Sequence, residues 1–140
     1  MEVKYLNQEE FRVDIAPFSA YIKRLSKSIE LMDGVLNVVF VNDKYIRALN
    51  NAYRGKDAPT DVLSFSYGPD SLIGEVYVSV ETAERQAKDY KHSLSDELAR
   101  LIVHGILHVH DYDHNEDEDY KEMFAVEKMV LGKIAGEETL

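Results

Sequence analysis

The stretch from Leu94 to His114 constrains the fold more than any other part of this chain. Its apolar positions cover most of the circumference of a helix that begins at Leu94, and they are Leu98, Leu101, Ile102, Val103, Ile106, Leu107 and Val109. A helix that is apolar nearly all round is a buried one, so this stretch is predicted to be the central helix of the domain. Ser93, followed three residues later by Asp96, is typical of a helix N-cap.

Two histidines interrupt this apolar surface. His104 and His108 are four residues apart, so they lie one turn apart on the same face, and two imidazoles at this spacing can reach one metal ion. On an unbroken helix, His114 would lie roughly 9 Å further along the axis than His108, too far to share that ion. The chain must therefore turn back near Asp111 if His114 is the third ligand, and an aspartate adopts the required left-handed conformation more readily than most residues.

The pattern H-x3-H-x5-H on an apolar helix favours a metal site over chance, because burying an imidazole without a partner costs free energy. Three neutral histidines leave a fourth position on zinc for water, as in catalytic sites, so metal-assisted hydrolysis is the reaction class that the residues support. His110 lies about 120° away from this face and is predicted to face elsewhere. His92 stands alone in a polar stretch and is predicted to lie at the surface.

The whole chain of 140 residues is predicted to form a single domain, residues 1–140. It has no cysteine, so a metal must be held by histidine, aspartate or glutamate, and this composition fits a reducing compartment. The N-terminus lacks the basic start and apolar run of a signal peptide, and the longest apolar run, around Val38–Val41, is far too short to span a membrane. We therefore expect a cytoplasmic protein without a membrane partner.

The net charge of −10 argues against a general attraction of the whole surface to nucleic acid. The charges are unevenly placed, however, with seven acids between Asp111 and Glu122. Basic residues cluster in the first half of the chain, at Lys23, Arg24, Lys27, Lys44, Arg47, Arg54 and Lys56. The negative net charge therefore does not exclude a local basic groove on this protein.

The remaining periodicities predict the element order β-α-β-α-β-β-α-α-α and an α+β domain with a small mixed four-stranded sheet and about five helices. The first helix is predicted to run from Pro17 through Met32, and a helix capped by Asn42 is predicted to bury Tyr45, Ile46, Leu49 and Tyr53. The stretches 62–67 and 72–80 are predicted to form a hairpin. The last helix carries one apolar face, made of Met123, Phe124, Glu127, Val130, Leu131 and Ile134.

The histidine spacing is also that of the metzincin peptidases, HExxHxxGxxH. Gly105 stands where those enzymes place the glutamate that serves as general base. A peptidase would lack its proton-transfer group at the expected place, which counts against proteolysis.

At these residues the chain resembles the YbeY family of bacterial endoribonucleases. The family motif HGxLHLxGYDH is similar to the stretch from His104 to His114, the block LNxxYRGKDxPTDVLSF matches Leu49 to Phe65, and G-[DE]-[IV]-x-[IV]-S matches Gly74 to Ser79. Two positions depart from the first motif. Val109 replaces a leucine, and Asp111 replaces a glycine at the turn that must deliver His114.

The resemblance implies a compact α+β domain with a zincin-like metal helix and one Zn2+ per chain, held by His104, His108 and His114. It implies single-strand endoribonuclease activity in ribosomal RNA maturation, notably at the small-subunit 3′ end, and a part in ribosome quality control. Ribosomal RNA and the ribosome are then the expected partners. The resemblance is also compatible with ribosomal-protein or GTPase partners, and it implies no particular oligomeric state. Arg54 matches the family's arginine and suits a phosphate clamp, since guanidinium binds phosphate bidentately.

Several alternatives stay open. The chain could be an RNA- or ribosome-binding module with a mainly structural zinc, and a metallopeptidase is the least favoured reading. Arg54 could form a structural ion pair with a neighbouring acid. Asp111, Asp113 and water are candidates for the general base and the leaving-group acid.

Overall fold

The computed structural model describes residues 1–112 and 117–136, and the elements in them follow the predicted order. The strands are β1 (Glu2–Leu6), β2 (Val35–Val41), β3 (Val62–Ser66) and β4 (Leu72–Ser79). The helices are α1 (Phe18–Ser28), α2 (Asp43–Arg54), α3 (Val80–Tyr90), α4 (Leu94–Val109) and α5 (Asp117–Leu131), followed by a 3-10 helix, Gly132–Ala135.

The four strands form one mixed sheet in the order β1-β2-β4-β3. β1 and β4 run parallel to β2, with Tyr5 and Val76 both paired to Val38. β3 runs antiparallel to β4, which confirms the predicted hairpin. The predicted fold class, α+β with a small mixed sheet and five helices, is confirmed for the described part of the chain.

Alternating side chains point to opposite faces of this sheet, because successive residues of a strand project in opposite directions. On one face, Val41 and Leu63 pack against Ile46 of α2 in a small cluster. On the other face, the main core joins side chains such as Val38 and Val76 to α1, α4 and α5. Helix α2 therefore covers one face of the sheet, and the histidine-bearing helix lies on the other.

Helix α4 is the central helix, as predicted. Its seven predicted apolar positions are all at most 1% exposed. The hydroxyl of Ser93 accepts a hydrogen bond from the Asp96 N–H at 3.0 Å, so the predicted N-cap is confirmed. None of the helices in residues 1–112 and 117–136 combines the length and apolarity that a bilayer crossing requires.

Two helix predictions were wrong in part. Helix α1 ends at Ser28, because Ile29 is extended with φ −138° and ψ 162°, so Met32 lies beyond it. On α2, Ile46 is buried, but Tyr45 and Tyr53 are 51% and 69% exposed. Helix α2 packs on the sheet with one side only, so residues away from that side remain exposed to solvent. The two tyrosine rings lie at its margin, against Tyr77 and Phe65 respectively.

The last helix also ends earlier than its apolar pattern suggests. α5 stops at Leu131, and Ile134 belongs to the 3-10 helix that follows. Gly132 has a φ of +62°, a conformation that glycine adopts without the steric cost of a side chain. The predicted apolar face therefore continues across a break in the helix.

Candidate metal centre

The rings of His104 and His108 meet on the partly exposed face of α4. Their Nε2 atoms are 3.0 Å apart, and the ring centroids are 4.6 Å apart with planes at 74°. Both imidazoles thus aim the same ring nitrogen at one point, as their spacing on the helix predicted. This convergence is what two ligands of one metal ion require.

A carboxylate of α5 sets the orientation of this pair. Glu127 is only 7% exposed, and its Oε1 lies 2.9 Å from Nδ1 of His104. A carboxylate accepts, so Nδ1 of His104 carries the hydrogen and the Nε2 lone pair faces His108. This is the arrangement in which an outer carboxylate fixes the tautomer of a metal-ligating histidine and raises its basicity.

The geometry of the pair fits zinc. Two nitrogens bound tetrahedrally to one zinc ion at about 2.0–2.1 Å are about 3.3 Å apart, close to the 3.0 Å between the Nε2 atoms of His104 and His108. In the structure, a hydrogen bond between the two Nε2 atoms spans this distance.

The third predicted ligand lies outside the described residues. His114 and Asp113 both fall in the segment 113–116. In the part of the chain that the structure describes, no group of three or more histidine, cysteine, aspartate or glutamate side chains is placed to hold a metal. The complete ligand set of His104, His108 and His114 stays a prediction.

The turn that His114 needs is present. Asp111 has a φ of +70°, which confirms that the helix ends there in a left-handed residue. The N–H of Tyr112 donates to the carbonyl of Leu107 at 3.0 Å, and the N–H of Asp111 donates to that of His108 at 3.1 Å. These are the two bonds of a Schellman motif, so the chain reverses immediately after α4 although aspartate replaces the family's glycine.

The other two histidines do not face the pair. His110 accepts the backbone N–H of Met32 on Nε2 at 3.0 Å, so it ties the end of α4 to the segment after α1 and faces elsewhere, as predicted. The prediction for His92 was wrong. Its side chain is only 14% exposed, because Nε2 lies 2.8 Å from Oε1 of the buried Glu97.

Glu97 is the centre of a buried polar network about two helical turns before the pair. Arg100 donates two hydrogen bonds to its carboxylate, at 2.9 and 2.6 Å, and Gln86 donates a third at 2.6 Å. Burial alone would raise the pKa of Glu97, but the hydrogen bonds and the charge of Arg100 outweigh it and hold that pKa below its ordinary value. Glu97 thus stays ionised although it is fully buried. Sequence reasoning missed both Glu97 and Glu127, although an acid on an otherwise apolar helix face is a signal for each.

Two glycines of the family motifs bring α4 against the β3–β4 hairpin. A Cβ at Gly105 would lie 2.4 Å from Cγ1 of Val76, and one at Gly74 would lie 2.7 Å from Cγ1 of Val109. The hydroxyl of Ser64 donates to the carbonyl of Gly105 at 3.1 Å. Position 105 therefore faces the sheet at a distance that excludes a glutamate side chain, which removes the general base that a metzincin would need there.

Arg54 lies at the end of α2, so the helix that carries it covers the face of the sheet opposite α4. It is exposed, and among residues 1–112 and 117–136 it makes no ion pair within 4 Å, so the structural alternative for Arg54 gains no support. Its predicted phosphate contact is untested. Two other members of the basic clusters are engaged, since Arg47 pairs with Asp57 and Arg24 donates to the carbonyl of Val130.

Fold and site together define a class of protein: a small α+β domain whose central helix presents a histidine pair oriented by a buried carboxylate. The family model for endoribonuclease YbeY matches residues 4–135. The chain therefore belongs to the endoribonuclease YbeY family, a family of hydrolases that act on RNA.

Individual relatives agree with this assignment. The endoribonuclease YbeY of Petrotoga mobilis is 42% identical over 135 residues, which cover 91% of either chain. That of Acholeplasma laidlawii is 37% identical over 135 residues, 95% of this chain and 96% of the relative. That of Pelotomaculum thermopropionicum is 49% identical over 108 residues, 71% of either chain. The solution structure of a Thermotoga maritima protein matches with a TM-score of 0.65 and 30% identity, over 94% of this chain and 88% of that one.

Proposed function

We propose that this protein is a zinc-dependent endoribonuclease that cuts single-stranded RNA during ribosomal RNA maturation in the cytoplasm. Its substrate is ribosomal RNA, notably the 3′ end of the small-subunit RNA, and it contributes to ribosome quality control. Family membership supports the cleavage of RNA. The zinc dependence and the choice of ribosomal RNA are the proposal's own, drawn from the resemblance and the site.

One observation carries the metal part of the proposal: Nε2 of His104 and Nε2 of His108 converge to 3.0 Å while Glu127 holds the opposite nitrogen of His104. An imidazole pair in a purely structural role needs no such orientation, because each ring could be satisfied separately. Here a buried carboxylate selects the one tautomer that leaves a lone pair at the shared point.

In the proposed site, His104, His108 and His114 hold the ion. Glu127 keeps the proton on Nδ1 of His104 and so keeps its Nε2 available for binding. When bound, zinc supplies Lewis-acid chemistry that makes water nucleophilic near neutral pH. Arg54 is proposed to hold a phosphate of the RNA with its guanidinium.

Two alternatives predict other outcomes. In a binding module with a structural zinc, metal removal would unfold the protein, and RNA binding would follow the basic residues instead of the histidines. A metallopeptidase has less support still, since Gly105 packs on Val76 and cannot be replaced by a catalytic glutamate without moving the helix.

The test compares two histidine variants of the same helix region. His108→Ala should lose zinc and lose cleavage of ribosomal RNA fragments that carry a single-stranded 3′ extension. His110→Ala is the matched control, since His110 bonds to the Met32 N–H and not to the pair, and it should retain one zinc per chain and cleavage. Arg54→Ala should retain zinc and lose cleavage.

Zinc content and RNA cleavage would be measured on the same preparations, with thermal melting as a check on folding. Undiminished cleavage by folded His108→Ala, or by rigorously metal-free protein, would overturn the proposal. Zinc in the wild type without any cleavage would favour the binding module.

A further inference from the structure

A cavity of about 540 Å³ opens beside the metal centre, between α4 and α5. His104 and Glu127 both line it, so the cavity borders the candidate metal centre. Arg100, four residues or about 6 Å before His104 along α4, also lines it. The volume lies within the range of about 300–1,000 Å³ that is usual for small-molecule sites, and it is larger than the metal chemistry itself requires.

Aromatic rings form the outer walls. Tyr120 and Phe124, one turn apart on α5, hold their rings parallel, with planes 2° apart and centroids 6.3 Å apart. Tyr90, the last residue of α3, also lines the cavity and is 57% exposed, and the Arg100 guanidinium lies 5.2 Å from the centre of its ring. Flat aromatic and guanidinium surfaces of this kind are those on which nucleobases stack.

The charge of the cavity favours a base over a phosphate. Two cations line it, Arg100 and Lys133. Arg100 is neutralised by the fully buried Glu97 through two hydrogen bonds, and the charge of Lys133 is offset by Glu127, whose carboxylate lies beside His104. A phosphate would meet these acids with little free positive charge to offset them. An uncharged ring system meets no electrostatic repulsion from these carboxylates. Nη1 of Arg100 can donate a hydrogen bond to it, because that nitrogen has no protein partner among the described residues.

We propose that this cavity binds one unstacked nucleobase of the substrate RNA, stacked on Phe124 and Tyr120, next to the proposed metal site at the histidine pair. The proposal rests on the proposed function, whose substrate class it narrows. It gives a physical reason for single-strand specificity at this site, because a base in a duplex remains stacked and paired and cannot enter a side pocket.

The test uses a set of short single-stranded RNAs, each with the fluorescent base 2-aminopurine at one successive position. Fluorescence is read within seconds of mixing with the zinc-loaded full-length protein, before cleavage proceeds. Stacking quenches 2-aminopurine, so the wild type should quench strongly at one position and weakly at the others.

Variants of Phe124 separate stacking from simple burial. Phe124→Leu keeps an apolar side chain without the ring. It should abolish the position-specific quenching and weaken RNA binding about 5- to 150-fold, the range of one lost base stack. Phe124→Tyr should retain both. Tyr45→Leu, at an equally aromatic but distant position on α2, is the matched control and should bind as the wild type does.

Uniform quenching at every position, or quenching that Phe124→Leu leaves unchanged, would refute the binding of a nucleobase in this cavity. Because the readout needs no turnover, it separates the two proposals. Cleavage with uniform quenching refutes the pocket alone, whereas position-specific quenching without cleavage supports the pocket and refutes the nuclease.

Discussion

The contact between Glu127 and His104 carries the most specific prediction of this structure. Glu127→Ala removes the carboxylate that holds the hydrogen on Nδ1 of His104, so the ring can rotate and can protonate Nε2 instead. Loss of such an outer partner typically lowers metal affinity about 10- to 100-fold, which is about 1.4–2.7 kcal/mol of binding free energy. The low exposure of Glu127, 7%, places the expected effect toward the upper end, since little solvent is available to take its place.

Zinc affinity would be measured by competition with a fluorescent chelator at fixed pH. Glu127→Gln retains an acceptor oxygen without the charge, so its loss should be smaller than that of Glu127→Ala. Glu122→Ala is the matched control, because Glu122 is an exposed acid on the same helix. Equal zinc affinity in all three variants and the wild type would refute the reasoning, and with it the view that the 2.9 Å contact orients a metal ligand.

Two further predictions concern stability. Asp111 has a φ of +70°, and glycine adopts this left-handed conformation at lower cost, so Asp111→Gly should raise the melting temperature by a few degrees, corresponding to about 0.5–1 kcal/mol. Asp111→Val should lower the melting temperature. Unchanged melting temperatures in both variants would show that this turn stores no strain. Glu97→Gln should cost about 3 kcal/mol in urea melts, the lower end of the range for breaking a buried pair, because it leaves the partly buried guanidinium of Arg100 without its charged partner. Since the folded pKa of Glu97 is lowered, its ionisation stabilises the fold above the ordinary carboxyl pKa, and this contribution is lost as the pH falls through the folded value. The acid side of the stability curve should therefore be flatter in Glu97→Gln, while Asp89→Asn, at an exposed acid of α3, should follow the wild type.

Much of the fold was predictable because its signals are local. The period of the apolar residues identified all nine α-helices and β-strands of the described residues in their order, and the N-caps at Asn42 and Ser93 were readable from a side chain and its third neighbour. The error at the two tyrosines of α2 has a tertiary cause. Whether Tyr45 and Tyr53 are buried depends on what else covers their face of the sheet, and the periodicity of a helix carries no information about that.

The candidate site divides in the same way. The convergence of His104 and His108 follows from helical geometry, and the turn at Asp111 was expected on the hypothesis that His114 is a third ligand. Both features were therefore predictable from the sequence, and the ligand role of His114 stays a prediction. Contacts between residues that are distant in the chain could be found only from the tertiary structure. Glu127 reaches His104 across 23 positions, and His92 is drawn inward by Glu97.

The sequence by itself therefore determined the class of fold, the family and the helix that carries the histidines, because periodicity and motif spacing act within a few residues. Only the tertiary structure decided which carboxylate orients the pair, that Gly105 faces Val76 at a distance no side chain can fit, and that an aromatic cavity lies beside His104. Those features arise where α4 meets α5 and the hairpin, and helix–helix and helix–sheet packing depends on the shapes of both partners at once.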